Sequence, residues 1–142
     1  MKNSSNGKVI PLYAKLSKAE RIRSKSLLLQ VLKKGQKIKT SLFGLTYWFH
    51  SGGIELGAKS TLFAVSVSKK VSSKAVDRNR LKRVYRHAWQ SIKFEVEQQV
   101  PSNGLLCVFI SVYQNQDSFS FIVQKLKEIL PKILVTLPHA KD

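Results

Sequence analysis

Apolar positions recur along the chain at two spacings, and the switches between them mark out the elements. Ile22, Leu27, Leu28, Val31 and Leu32 lie at helical spacing. Ser17 and Glu20 stand in the relation of a capping box, and Gly35 occupies the place of a helix C-cap. Together these predict a helix over residues 18–34. Residues 41–50 (SLFGLTYWFH) alternate instead, with Phe43, Leu45, Tyr47 and Phe49 on one face and Leu42, Gly44, Thr46 and Trp48 on the other. That is a strand pattern. Residues 61–68 (TLFAVSVS) repeat it, and the short glycine-containing link predicts that the two strands pair as antiparallel neighbours. A second helix is predicted over 77–100, where Leu81, Val84, Tyr85, Ala88, Trp89 and Ile92 define one buried face, with Asp77 a possible N-terminal cap. After the breaker Pro101-Ser102-Asn103-Gly104, residues 105–113 (LLCVFISVY) form an almost continuous apolar run, suited to a strand buried on both faces. Helical spacing returns over 119–134 through Ile122, Val123, Leu126, Ile129, Leu130 and Ile133, with Pro131 disturbing the last turn.

The expected order is α-β-β-α-β-α, a single-domain α+β sandwich with helices packed on a sheet. Residues 1–15 read as a flexible N-terminal arm, 16–135 as the folded domain and 136–142 as a frayed tail.

Charge changes the picture. The 142 residues hold 25 Lys plus Arg against 8 Asp plus Glu, a formal net charge of +17. Self-repulsion on that scale points to a polyanionic partner, with nucleic acid ahead of an anionic membrane surface. No apolar run approaches the roughly 20 residues of a membrane span, and residues 1–15 lack the apolar core of a signal peptide. The single Cys107 excludes an internal disulfide framework and fits a reducing compartment.

The charge is also focused. Residues 69–86 read KKVSSKAVDRNRLKRVYR and carry 8 of the 25 basic residues, opposed only by Asp77. On a helix of about 100° per residue, Asn79, Arg83 and Arg86 fall opposite the Leu81/Val84/Ala88 stripe. Lys82 and Lys93 flank them, Arg80 takes the other shoulder, and Arg78 lies nearer the apolar border. No acidic partner sits four residues away from these arginines, so the repulsion among them is uncompensated. A solvated basic face is one reading of this ridge; a phosphate-binding surface is the other, favoured by the density of Arg.

Catalytic constellations are absent from the sequence. His50, His87 and His139 have no Cys or carboxylate at metal-ligand spacing, and the acids are scattered. Cys107 reads as a small core residue rather than a nucleophile. Ser66 and Ser68 have no evident base, and no phosphate-cradling glycine pattern occurs.

VSVSKK (65–70) followed by RNRLKRVYR (78–86) resembles the protein subunit of bacterial ribonuclease P, whose hallmark is an RNR-x-KR-x-x-R helix after a strand ending in two lysines. ERIRSKSLLLQVLKKGQ (20–36) is similar to the first helix of that family, and the resemblance spans roughly residues 16–134. It implies an α-β sandwich with a left-handed β-α-β crossover. It also implies an accessory RNA-binding subunit, without catalytic residues of its own, of a cytoplasmic endoribonuclease that removes the 5′ leader from precursor tRNA. The expected partners are the ribonuclease P catalytic RNA and leader-bearing precursor tRNA, with no membrane and no small-molecule substrate. No cofactor is expected on the protein alone, Mg²⁺ being held by the RNA. Carried over by position, the RNA-binding residues are Lys69, Lys70, Arg78, Asn79, Arg80, Lys82, Arg83 and Arg86. The leader cleft would comprise Leu28, Leu32, Thr46, Trp48, Ser66 and Ser68. Family members commonly present two phenylalanines where this chain has Leu28 and Leu32, a cleft tyrosine where it has Thr46, and a strand glycine where it has Ala64. Trp48, two residues on from Thr46, is either a replacement base platform or a residue packed beneath a loop. A ribosomal or general structural RNA-binding protein is the alternative class.

Overall fold

A computed structural model of the chain describes residues 20–51, 60–101 and 104–138. Seven elements follow in order: α1 (Lys25–Lys34), β1 (Gln36–Lys39), β2 (Phe43–Ser51), β3 (Thr61–Val67), α2 (Ala75–Gln99), β4 (Gly104–Val112) and α3 (Phe119–Leu134). The α+β class holds, with one strand more than the pattern suggested. β1 is QKIK, too short to establish alternation by itself. Thr40 closes the β1–β2 turn: its hydroxyl donates to the Phe43 carbonyl and accepts from the Leu42 and Phe43 amides.

The sheet order is β1-β2-β4-β3. β2 and β3 are therefore not neighbours, contrary to the hairpin expected from their short link. β4 lies between them, antiparallel to β2 and parallel to β3. Its apolar residues explain the insertion. Leu106, Val108, Ile110 and Val112 are buried on the core face, which suits a central position flanked on both sides. The parallel β3–β4 pair requires a crossover connection, and the 25-residue α2 supplies it.

The main core lies between one sheet face and the pair α2 and α3. Trp89 stacks on Phe63 with ring centroids 5.2 Å apart, and Tyr85 meets Phe43 edge-on at 5.7 Å. Such aromatic pairs add about 0.5–1.5 kcal/mol beyond area burial. α3 has the predicted bounds, capped by the Ser118 hydroxyl, which accepts from the Phe121 amide; Pro131 sits inside it. Leu137, placed within a frayed tail by the sequence, is instead buried in the core. Residues 1–19 and 139–142 lie outside the described residues, and so does the expected Ser17 cap.

α1 packs against β2 and β4 on the other sheet face, with Val31 fully buried there apart from the main core. It begins at Lys25, not Lys18. Ser24 is its N-cap, accepting from the Leu27 amide at 3.2 Å. Glu20 pairs through its carboxylate with Lys93 of α2. Gly35 is the C-cap, but with an extended backbone. Its value is close approach. A Cβ there would lie 2.5 Å from the Val31 carbonyl oxygen and 2.7 Å from that of Tyr47, so only glycine lets the helix end lie so near β2.

Candidate nucleic-acid interface

The basic segment of α2 divides into two groups of side chains. Arg78 donates from Nη1 to the Ser72 and Ser73 carbonyls, at 3.1 and 2.9 Å, and so ties the β3–α2 connection to the helix. Arg80 pairs with Asp117 at 3.4 Å and with Asp77 at 3.8 Å. Asp77 accepts from the Ser72 hydroxyl and is not the N-cap; that position is Lys74, whose side chain makes no capping bond. The two arginines of the RNR triplet are thus engaged by the protein itself. Between them Asn79 is exposed.

Asn79, Lys82, Arg83 and Arg86 form the second group and line one cleft of about 300 Å³, together with Arg21 and His87. Burial and the nearby charge of Arg21 both disfavour the Arg86 cation. Burial, then Arg83 and Arg86, likewise pushes the His87 imidazole below its ordinary pKa. Among the described residues no carboxylate lines the cleft, so the gathered cations carry an electrostatic cost that an anion would remove. Arg21 was not among the expected residues. It lies outside α1, in a segment bridged to Phe63 of β3, with the Ile22 amide donating to the Phe63 carbonyl at 3.1 Å. The sequence offered a signal in the charged ERIR run before the first continuous apolar turn, which the helical reading of 18–34 absorbed.

A second concavity, about 270 Å³, lies on the sheet face that carries α1. The strand register builds its floor. Lys37, Thr46, Phe109 and Ala64 form one cross-strand row, and Lys39, Gly44, Ser111 and Ser66 form the next. Leu32 of α1 walls one side, and Tyr113 lies over Gly44, where any β-carbon would collide with its hydroxyl. The groove thus combines two aromatic rings, a hydroxyl pair and two lysines, Lys37 and Lys39.

Of the expected cleft residues, Leu32 and Thr46 line this groove. Ser66 is exposed at its end beside Ser111, and Ser68 is exposed beyond β3, followed by the exposed Lys69 and Lys70. Leu28 and Trp48 do not line it. Trp48 is half-buried, with the Lys34 ammonium 5.6 Å from its ring centroid and the His50 ring at 5.3 Å. Phe109 and Tyr113 were missed because 105–113 read as a strand buried on both faces. In fact its second face is open around Phe109 and Ser111, although Cys107 on that face is buried.

Burial pushes the Cys107 thiol up to about 12. Among the described residues, no three His, Cys, Asp or Glu side chains come together as a metal ion would need. No described helix is long and apolar enough to cross a membrane.

The fold has solved counterparts. The ribonuclease P protein of Staphylococcus aureus superimposes with a TM-score of 0.61 at 22% identity, over 82% of this chain and 96% of that one. The ribonuclease P protein of Thermotoga maritima gives 0.58 at 21% identity, over 80% and 96%. Among curated proteins, none matches by sequence. Residues 16–134 match the sequence profile of ribonuclease P, which takes in the RNR helix, the strand before it and both concavities. The chain therefore belongs to the ribonuclease P protein family.

Proposed function

We propose that this ribonuclease P protein acts wholly through binding. In this reading it grips the catalytic RNA and the precursor tRNA, and leaves hydrolysis and Mg²⁺ to the RNA, in the cytoplasm. The α2 cleft takes sugar–phosphate backbone: Arg83 and Arg86 offer planar donor forks, Lys82 a point charge, and Asn79 both a donor and an acceptor. The sheet groove takes the single-stranded 5′ leader. Its aromatic floor stacks bases without reading sequence, and Lys37 and Lys39 accompany the backbone. The protein offsets repulsion between two RNAs, which lets the substrate approach metal ions on the catalytic RNA.

The observation that carries this reading is the groove itself, an aromatic and basic surface on the one sheet face that α2 and α3 leave free. The test compares precursor tRNA with and without a leader, bound to the assembled protein–RNA complex. A leader should tighten binding only when the protein is present. Equal affinity for both substrates would remove the leader from the groove.

A further inference from the structure

One charged donor has no assigned role. The Nε–H of Arg21 is buried and finds no acceptor among the described residues, although the side chain lines the α2 cleft. Its place is fixed from both sides. The residue after it, Ile22, is hydrogen-bonded to the Phe63 carbonyl at the edge of the sheet. The residue before it, Glu20, is ion-paired to Lys93, with side chains only 12% and 15% exposed. The chain thus straps Arg21 against α2 opposite Arg86, whose positive charge it opposes. A buried cationic donor left unpaired beside other cations is unfavourable unless an anion occupies the space.

We propose that the cleft between residues 20–22 and α2 is a phosphodiester site, with Arg21 as a principal ligand and the Glu20–Lys93 pair as the strap that positions it. A phosphate offers several oxygens, so the Arg21 fork, Arg86, Lys82 and the Asn79 amide can bond to one group together. A protein carboxylate has two oxygens and no flanking negative charge for Arg83. The site rests on the RNA-binding reading of α2 and extends it to a segment outside the RNR motif. The phosphate can come from the catalytic RNA or from precursor tRNA.

Full-length Arg21→Gln, Glu20→Gln and Arg86→Ala proteins test the site, with Arg23→Gln, an exposed arginine outside the cleft, as control. One arm titrates each protein into catalytic RNA; the other titrates precursor tRNA into the assembled complex, and the arm that responds identifies the source. Arg21→Gln should weaken one arm about tenfold and reduce its salt slope by about one. Glu20→Gln raises the net charge by one yet should also weaken that arm, because the strap is cut. Arg21→Gln behaving like Arg23→Gln in both arms, while Arg86→Ala weakens binding, overturns the site and leaves the RNA-binding reading standing. If Arg86→Ala is also without effect, the α2 reading fails with it. Tighter binding by Glu20→Gln overturns the strap. As a separate readout, adding pyrophosphate to the native protein should move the arginine Nε–H resonance that is missing from the Arg21→Gln protein; no movement of that resonance overturns the site.

Discussion

Thr46 and Phe109 stand opposite one another in the register of β2 and β4, at the centre of the open sheet face. The family resemblance implies aromatic side chains at the positions of Thr46, Leu28 and Leu32, none of which is aromatic in this chain. The aromatic surface of this face is carried by Phe109 of β4 and by Tyr113, which lies over Gly44.

Phe109→Ala should therefore weaken leader binding by about tenfold, since stacking on an aromatic contributes about 1–3 kcal/mol per base. Affinity for mature tRNA, which has no leader, should not change. Direct binding to the assembled complex separates the two. Equal losses on both substrates would place Phe109 in a structural role only.

Arginines of one motif should behave differently. Arg83→Ala and Arg86→Ala should each weaken RNA binding and lower its salt slope by about one. Arg80→Ala removes ion pairs of a half-exposed side chain, so its main effect should be a stability loss below about 1 kcal/mol. Salt-dependent binding read beside thermal unfolding of the same variants distinguishes them. A unit drop in slope for Arg80→Ala would show that it leaves its carboxylates to meet RNA.

His87 gives the protein a pH signature of opposite sign in its free and bound states. In the free protein its pKa is held below the ordinary 6.5 by burial, Arg83 and Arg86. As pH falls below 6.5 the unfolded chain takes up the proton first, so folding stability declines until the folded-state pKa is passed. Phosphate in the cleft favours the charged imidazole, so RNA affinity should rise as pH is lowered from 8 to 6. His87→Gln should flatten both curves. An RNA-affinity profile that the substitution leaves unchanged would place the titrating group elsewhere.

Much of this was legible in the sequence, and the failures have physical causes. α3 was read to the residue, because Ile122, Leu126, Ile129 and Ile133 bury one continuous face. The RNR helix was legible too, since Leu81, Tyr85, Ala88 and Trp89 fix which side meets solvent. Strand order was not, because sequence proximity favoured a β2–β3 hairpin and nothing local records that β4 enters between them. The pairing of Glu20 with Lys93 was not legible either, because it joins residues far apart in the chain and leaves no trace in local spacing. Arg78 and Arg80 were legible as charges but not as partners of Ser72, Ser73 and Asp117, contacts that only the folded chain creates.

Cys107 should be chemically silent in the native protein. It is fully buried, and its thiol is pushed up to about 12, so almost no thiolate exists at neutral pH. A disulfide-forming thiol reagent should modify it only at the rate of unfolding. Rapid stoichiometric labelling of the folded protein would contradict the packing of β4 against α1.

The proposed function has the protein aid cleavage by binding alone. Its most direct test measures leader removal from precursor tRNA by the cognate catalytic RNA at low Mg²⁺, with and without the protein, and by the protein without RNA. Faster cleavage and tighter substrate binding are expected when both are present, and no cleavage by the protein alone. Unchanged cleavage on adding the protein, or Mg²⁺-dependent cleavage by the protein without RNA, would contradict it.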